Sequence, residues 1–277
     1  MKKAVIIPNA NKDAGLAVSS AVVSRLLAGG ITPYVKAGIV LDGAVEYEVF
    51  PDDCDLIIVI GGDGSVIDAS ELSIENDVPI LGVNLGKVGY LSEVEPSELD
   101  SLDKLLSGEY EISEKMLLEV VGAEDNRHKY AVNDIVFSHS NYLGIAEFGL
   151  SDSIGNQINY RADGVIFSTP QGSTAYSLSA GGPVVAHDVD GILVTPVCPH
   201  SFFNRSVMFN SGEVITVCNY SDDTLNISID GRLGITIEKD GVCSVKRSEK
   251  SLKMLTFSKN SMFSNLFRKM KIMEDIK

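Results

Sequence analysis

The sequence predicts an α/β domain followed by an all-β domain. A parallel α/β domain is expected over residues 1–108, joined by the tail 255–277, and an antiparallel β-sandwich-like domain over 109–254. Three observations predict this. Strand and helix patterns alternate through the first hundred residues. After residue 108 short strand-like runs separated by turn dipeptides take over. The chain, at 277 residues, is too long for one small module, and its 44% apolar and 22% charged composition can build a core.

The elements follow in order. Residues 4–8 read as the first strand; the short apolar stretch behind Met1-Lys2-Lys3 lacks the length and cleavage site of a signal peptide. A helix is expected over 16–27, with Val18, Ala21, Val22, Arg25 and Leu26 at helical spacing and Gly29-Gly30 as its stop. The continuous apolar run 55–60 is the kind of strand that a parallel sheet buries on both faces. Residues 66–75 read as a helix, 79–83 as a strand, and 96–107 as a helix with Leu99, Leu102, Leu105 and Leu106 on one face. Strand-like runs then fall at 116–121, 129–136, 146–150, 165–168, 192–195, 214–217, 225–229, 234–238 and 242–246. Asn210-Ser211-Gly212, Asp230-Gly231 and Asp240-Gly241 supply turns between several of them. One short helical window, 174–180, interrupts the strands, and 262–271 is an amphipathic helix expected to dock back on one of the domains.

Charge excludes some functions. The chain has 23 Lys plus Arg against 38 Asp plus Glu, a net charge of −15. Such a chain is a poor partner for nucleic acid or an anionic membrane, and no apolar run approaches the ~18 residues of a membrane span. Cys54, Cys198, Cys218 and Cys243 form no CxxC pair, as expected for thiols in a reducing cytoplasm. Any phosphorylated ligand must therefore be held locally, by backbone amides, a few basic side chains or a divalent ion.

Gly61-Gly62-Asp63-Gly64-Ser65 follows the buried strand and opens a helix. Glycines there let the chain turn tightly and bring amides close to a phosphate. The Lys-Ser/Thr of a P-loop is missing, and Ile67 stands where a dinucleotide fingerprint needs its third glycine. A carboxylate beside phosphate is repulsive unless it takes a proton or holds a metal; the alternative is that Asp63 caps a helix starting at Ser65 or Val66. Asn133-Asp134 interrupts an apolar strand pattern, as a bulge or as a contact to a sugar diol. Arg161-Ala162-Asp163-Gly164 and the stretch from Ser168 to Pro183 place hydroxyls, glycines and Tyr176 around a strand-to-helix turn, which is either a ligand turn or a surface loop.

The order of these segments resembles the NAD kinase family. The resemblance rests on GGDGS, then Gly82-Val83-Asn84-Leu85-Gly86-Lys87-Val88-Gly89-Tyr90-Leu91, Asn133-Asp134, Asp163-Gly164 with STPQGSTAYSLSAGGP, Thr195 to Ser201 with His200, and Asp230-Gly231. It runs from about residue 55 to the C-terminal helix. The resemblance implies two domains with the site between them, and Mg²⁺-dependent phosphoryl transfer from ATP or polyphosphate to the 2′-hydroxyl of the adenosine ribose of NAD. It implies that Asp63 activates that hydroxyl with Gly64 beside it, and that Gly61, Gly62, Gly64 and Ser65 form the phosphate loop. Asn133 and Asp134 would hold ribose hydroxyls, Arg161 and Asp163 would line the dinucleotide site, and Thr174, Ala175, Tyr176 and Ser179 would contact adenosine. The metal would be carried by the donor's phosphates, and the protein would be a homodimer or homotetramer. Four positions depart from the family pattern: Asp134 for Glu, Ser65 for Thr, Gln171 for Thr, and Arg232 for Gln.

Two other readings compete. A lipid kinase shares a GGDG loop but needs a basic or apolar approach surface. An NAD(P)-binding sensor would keep the pocket but gain nothing from Asp63 near phosphates.

Overall fold

The computed structural model describes residues 1–87, 89–123, 129–140 and 145–257, so the tail helix expected over 262–271 lies outside the described residues. The chain divides into two units, Met1–Glu114 with Leu252–Lys277, and Lys115–Ser251.

The first unit is built on parallel strands β1 (Lys3–Pro8), β2 (Thr32–Lys36), β3 (Val45–Tyr47), β4 (Leu56–Gly61) and β5 (Ile80–Asn84), in the order β3-β2-β1-β4-β5. Val5 pairs with Ile57 and Ile58 with Leu81, which makes β4 an interior strand with every residue buried. Helices α1 (Ala17–Ala28) and α2 (Asp63–Asn76) accompany the sheet, and Val22 and Leu26 pack with Ile6, Leu56 and Ile58. α1 starts just after a short 3₁₀ turn because buried Asp13 takes the N–H groups of Val18 and Ser19. The helix expected over 96–107 is instead a 3₁₀ stretch, Pro96–Asp103, followed by the single turn α3 (Lys104–Ser107). Its Ser and Asp residues compete for backbone hydrogen bonds and weaken an α-helix there.

β6 (Glu111–Val121) leads into the second unit, which holds β7 (Asp134–His139), β8 (Ala146–Ser151), β9 (Gln157–Ala162), β10 (Gly164–Ser168), the short helix α4 (Tyr176–Ser179), β11 (Gly191–Val197), β12 (Val207–Asn210), β13 (Val214–Asn219), β14 (Leu225–Ile229) and β15 (Arg232–Ile237), and β16 (Val242–Thr256) leads out of it. Six strands pair in the order β12-β11-β10-β7-β14-β15, and β16-β13-β8-β9 form the other layer, with β6 on β16. Inward residues of both layers, among them Phe137, Phe167, Ile227, Phe148, Val217 and Val245, share one core, which makes the unit a sandwich. Phe137 and Phe167 meet edge to face at 5.4 Å. β16 runs on to Thr256, well past the end expected at 246, and its Met254 pairs with Ile80. Among the described residues no helix is long and apolar enough to cross a membrane.

Candidate functional site

In the first unit the site grows from the end of β4. Gly62 is extended (φ −104°, ψ −172°) and Asp63 is the first residue of α2, so the helix starts ahead of the Ser65 or Val66 expected from the sequence. The capping role for Asp63 is thereby corrected. No side chain caps α2; the Asp63 carboxylate is part of the helix and its Oδ1 accepts the Leu91 N–H at 2.7 Å. That bond holds one of the two carboxylate oxygens.

The loop's glycines differ in purpose. A Cβ on Gly61 would lie 2.4 Å from Ser65 Oγ, and one on Gly62 would lie 2.7 Å from Lys12 Nζ and 3.3 Å from the Gly86 Cα. Around Gly64, by contrast, nothing lies within 4 Å of such an atom, although a glycine inside a helix costs about 1 kcal/mol relative to alanine. Packing explains Gly61 and Gly62 but not Gly64. Ser65 is tied back to β1, its Oγ accepting from Asn9 Nδ2 at 2.8 Å. On the facing chain Asn84 accepts from Gly86 N–H at 2.9 Å and donates to Glu95 at 3.1 Å. Gly89 must be glycine there: its φ is +65°, and a Cβ would meet the Asn84 carboxamide at 2.7 Å. Burial and the Asp63 charge together push the Tyr90 phenol upward.

In the second unit a cleft of about 320 Å³ is lined by Asn133, Asp134, Val136, Ala175, Tyr176, Ser228, Asp230 and Gly231. Its floor is assembled by the β14–β15 hairpin. Asp230 (φ +48°) and Gly231 (φ +77°) make its tight two-residue turn. From that turn the Asp230 carboxylate accepts the N–H groups of Val132 and Asn133 at 2.8 Å and of Asp134 at 3.0 Å. Burial pushes the Asp230 carboxyl up, and these three amides pull it back. Asp134, 5% exposed, has no such set of amides. Burial first, then the Asp230 charge, pushes it to about 7 against the one N–H it receives from Tyr176.

The Ser168–Pro183 stretch lies over this floor. Thr169 donates its N–H to the Asn133 carbonyl at 2.9 Å and its hydroxyl to the Val132 carbonyl at 2.7 Å. Gly172 lies so close that a Cβ there would fall 1.9 Å from the Asn133 oxygen. Beyond it Ser177 and Thr195 hydroxyls meet at 2.9 Å, and Gly182 leaves the room they need. Gly172→Ala is therefore expected to destabilise the chain by about 3 kcal/mol, the upper end for overpacking, because both surfaces in contact are backbone. Urea denaturation of the two proteins checks this, with an unchanged midpoint as the contrary result.

Of the residues expected from the sequence, the cleft brings together Asn133, Asp134, Ala175 and Tyr176. Thr174 sits in the adjoining turn with its hydroxyl on the Gln171 carbonyl at 3.2 Å, while Ser179 is exposed on α4. Arg161 and Asp163 lie elsewhere in the unit. Ser168 pairs with Asp134 and Gly164 with Ser138, so Asp163 is a full strand length away, about 16 Å at the usual rise. Arg161 pairs there with Glu147 at 2.9 Å, and its carbonyl accepts the His200 N–H at 2.6 Å. Gln171 is 5% exposed, which puts its side chain inside the turn, and Arg232 lies beside Asp230 and lowers its pKa. Sequence reasoning missed Lys12, the Leu91 amide, Ser228 and the anchoring task of Asp230. Leu91 and Asp230 did carry a signal, as members of two segments on which the family resemblance rests, and Asp230 also as half of a turn dipeptide.

The model of the ATP-NAD kinase N-terminal domain matches residues 43–110, and that of the ATP-NAD kinase C-terminal domain matches residues 133–257. A protein of Caldanaerobacter subterraneus subsp. tengcongensis named NAD kinase is 37% identical over 97% of this chain and 98% of its own length. One of Lachnoclostridium phytofermentans with the same name is 34% identical over 95% of this chain and 96% of its own. The fold is that of a yeast NADH kinase solved with NADH (TM-score 0.83, 21% identity, 96% of this chain and 86% of that one). It is also that of an Archaeoglobus fulgidus NAD kinase solved with ATP (TM-score 0.75, 22% identity, 98% and 99%). With both domain models matched in order and relatives above 30% identity along nearly its whole length, the chain belongs to the NAD kinase family.

Proposed function

We propose that the protein phosphorylates NAD at the 2′-hydroxyl of its adenosine ribose, with ATP as donor and polyphosphate as a second candidate. The observation that carries this reading is Asp63: a carboxylate inside a glycine loop, anchored through one oxygen by the Leu91 N–H. In this reading the 2′-oxygen forms a bond to the terminal phosphorus and the bond from that phosphorus to the bridging oxygen breaks. The electron pair leaves with ADP, and the hydroxyl proton passes to the Asp63 carboxylate. Asn133 and Asp134 orient the ribose from the floor of their cleft, and Ala175 and Tyr176 offer a wall to the base. Thr174 and Ser179 support that turn, and Arg161 and Asp163 take the remainder of the dinucleotide.

Among the described residues no three His, Cys, Asp or Glu side chains cluster as a metal cage. In this reading a divalent ion would be held chiefly by the donor's phosphate oxygens, whose charge it would neutralise. A homo-oligomer in the cytoplasm belongs to the same reading. A lipid kinase is set aside by family membership, and a pure NAD(P) sensor leaves Asp63 without a purpose.

The test is incubation with NAD⁺, ATP and Mg²⁺, reading NADP⁺ with an NADP-specific dehydrogenase, and polyphosphate in parallel. NADP⁺ formation is expected. A folded protein that binds NAD but forms none would favour the sensor. A second expectation separates ligand approach from packing at the loop. Gly64→Ala should raise stability by about 0.5–1 kcal/mol yet lower kcat/KM at least tenfold. Equal stability and activity would remove Gly64 from the phosphate loop.

A further inference from the structure

Lys12 lies in the turn between β1 and α1, whose backbone is tied on both sides. Its N–H and that of Asp13 both bond to the Asn9 carbonyl at 2.9 Å, and Asn9 N–H bonds to the Ile60 carbonyl at 2.8 Å. Asn9 also holds Ser65 through its side chain, and Asp13 is locked into the start of α1 by Ser19. The turn is thus tied on one side to the end of β4 and on the other to α1. Between these ties the Lys12 side chain reaches the glycine loop, with Nζ 2.7 Å from the point where a Gly62 side chain would begin. An alanine at 62 would displace it.

The ammonium has no ion pair or hydrogen bond among the described residues. In a chain of net charge −15, an ammonium beside a glycine loop that pairs with no carboxylate among the described residues is placed for a ligand's charge. Lys12 is exposed, and its ammonium lies beside backbone that carries no side chain.

We propose that Lys12 binds the phosphate chain of the phosphoryl donor and neutralises charge on the leaving oxygens as the terminal phosphorus passes to the ribose oxygen. This rests on the kinase reading above and adds to it the cation that the loop itself lacks. The P-loop lysine is absent from the loop sequence; Lys12 supplies that ammonium from a different strand end. Its three N–H donors would bond charged oxygens, and the proton stays on the lysine throughout. Because it meets the donor rather than NAD, its loss should fall on one substrate.

The experiment compares Lys12→Met, Lys12→Arg and wild type in steady-state kinetics with both substrates varied. Lys2→Met serves as control. It removes the same unit of charge just before the other end of β1, a strand that spans about 17 Å at the usual rise. For Lys12→Met we expect the KM for ATP to rise, or kcat to fall, by about 10- to 100-fold, the range for a hydrogen bond to a charged group. The KM for NAD should stay within twofold, Lys12→Arg should recover most of the loss, and Lys2→Met should match wild type. A thermal-shift titration with inorganic tripolyphosphate, without NAD, should lose its response in Lys12→Met and keep it in wild type. ATP kinetics within threefold of wild type would overturn the assignment, as would equal weakening for ATP and NAD. Absence of NADP⁺ formation by wild type would instead overturn the kinase reading, and the tripolyphosphate titration would still test Lys12 by itself.

Discussion

Asp63→Asn is expected to lower turnover by roughly 10²–10⁴-fold, the usual size of a general-base contribution, with fold and NAD binding retained. The substitution is nearly isosteric, and an Asn oxygen can still accept the Leu91 N–H that Oδ1 holds at 2.7 Å. What changes is the other atom: an amide donates where the carboxylate oxygen would accept the ribose proton. The loss corresponds to about 3–5 kcal/mol of transition-state stabilisation. Asp63→Ala separates the two tasks of the side chain, since it also abandons the Leu91 N–H and loosens the chain there. It should add a rise in KM that Asp63→Asn does not show. Calorimetric NAD titration with single-turnover kinetics of both variants decides the matter. Turnover of Asp63→Asn within fivefold of wild type would remove Asp63 as the base.

The fold was most legible where local chemistry and tertiary context agree. β4 is apolar at every position because both its faces are covered, and the glycines after it mark where the chain must turn closely. The same reading passed over β2, because Pro33 near its start and the glycines on either side of it read as loop. It passed over β9 and β12 because each lies at a sheet edge, where polar residues are tolerated. β16 was cut short because Arg247, Glu249 and Lys250 interrupt its apolar alternation with residues that face outward.

At the site, residue types were legible and partnerships were not. Asp230 reads as a turn former from its neighbour Gly231, yet its main contacts are amides 96 to 98 residues earlier. Lys12 reads as one more surface lysine; only the fold brings it to Gly62. Arg161 and Asp163 sit close in sequence to the Ser168 turn, and the extended geometry of β10 carries them away from it. A pattern along one chain orders residues by number, whereas a sheet orders them by register.

Asp134 carries the second large effect, and its sign follows from where the proton sits. Its ordinary value is 3.8, and in the folded protein it stands at about 7, from burial first and the Asp230 charge second. Between those values the folded chain keeps a proton that the unfolded chain has lost. Stability therefore falls as pH rises through that window, by up to about 1.4 kcal/mol per pH unit. The accumulated cost above pH 7 is about 4 kcal/mol, and below pH 4 it vanishes. Asp134→Asn removes the titration while filling the same space. Urea denaturation should find it more stable than wild type by about 2–4 kcal/mol at pH 8, with little difference at pH 4. Function should move the other way. Ribose hydroxyls donating to the carboxylate favour its ionised form, so wild-type affinity for NAD should rise with pH up to about 7, by at most tenfold per unit. The Asn variant should bind about tenfold more weakly at pH 8 and show no such rise. A carboxylate held at the cost of stability is what a binding group looks like when the pocket, not the fold, requires it. If wild type and Asp134→Asn lose stability in parallel from pH 5 to pH 8, the buried proton is not on Asp134 and the cleft is held together in some other way.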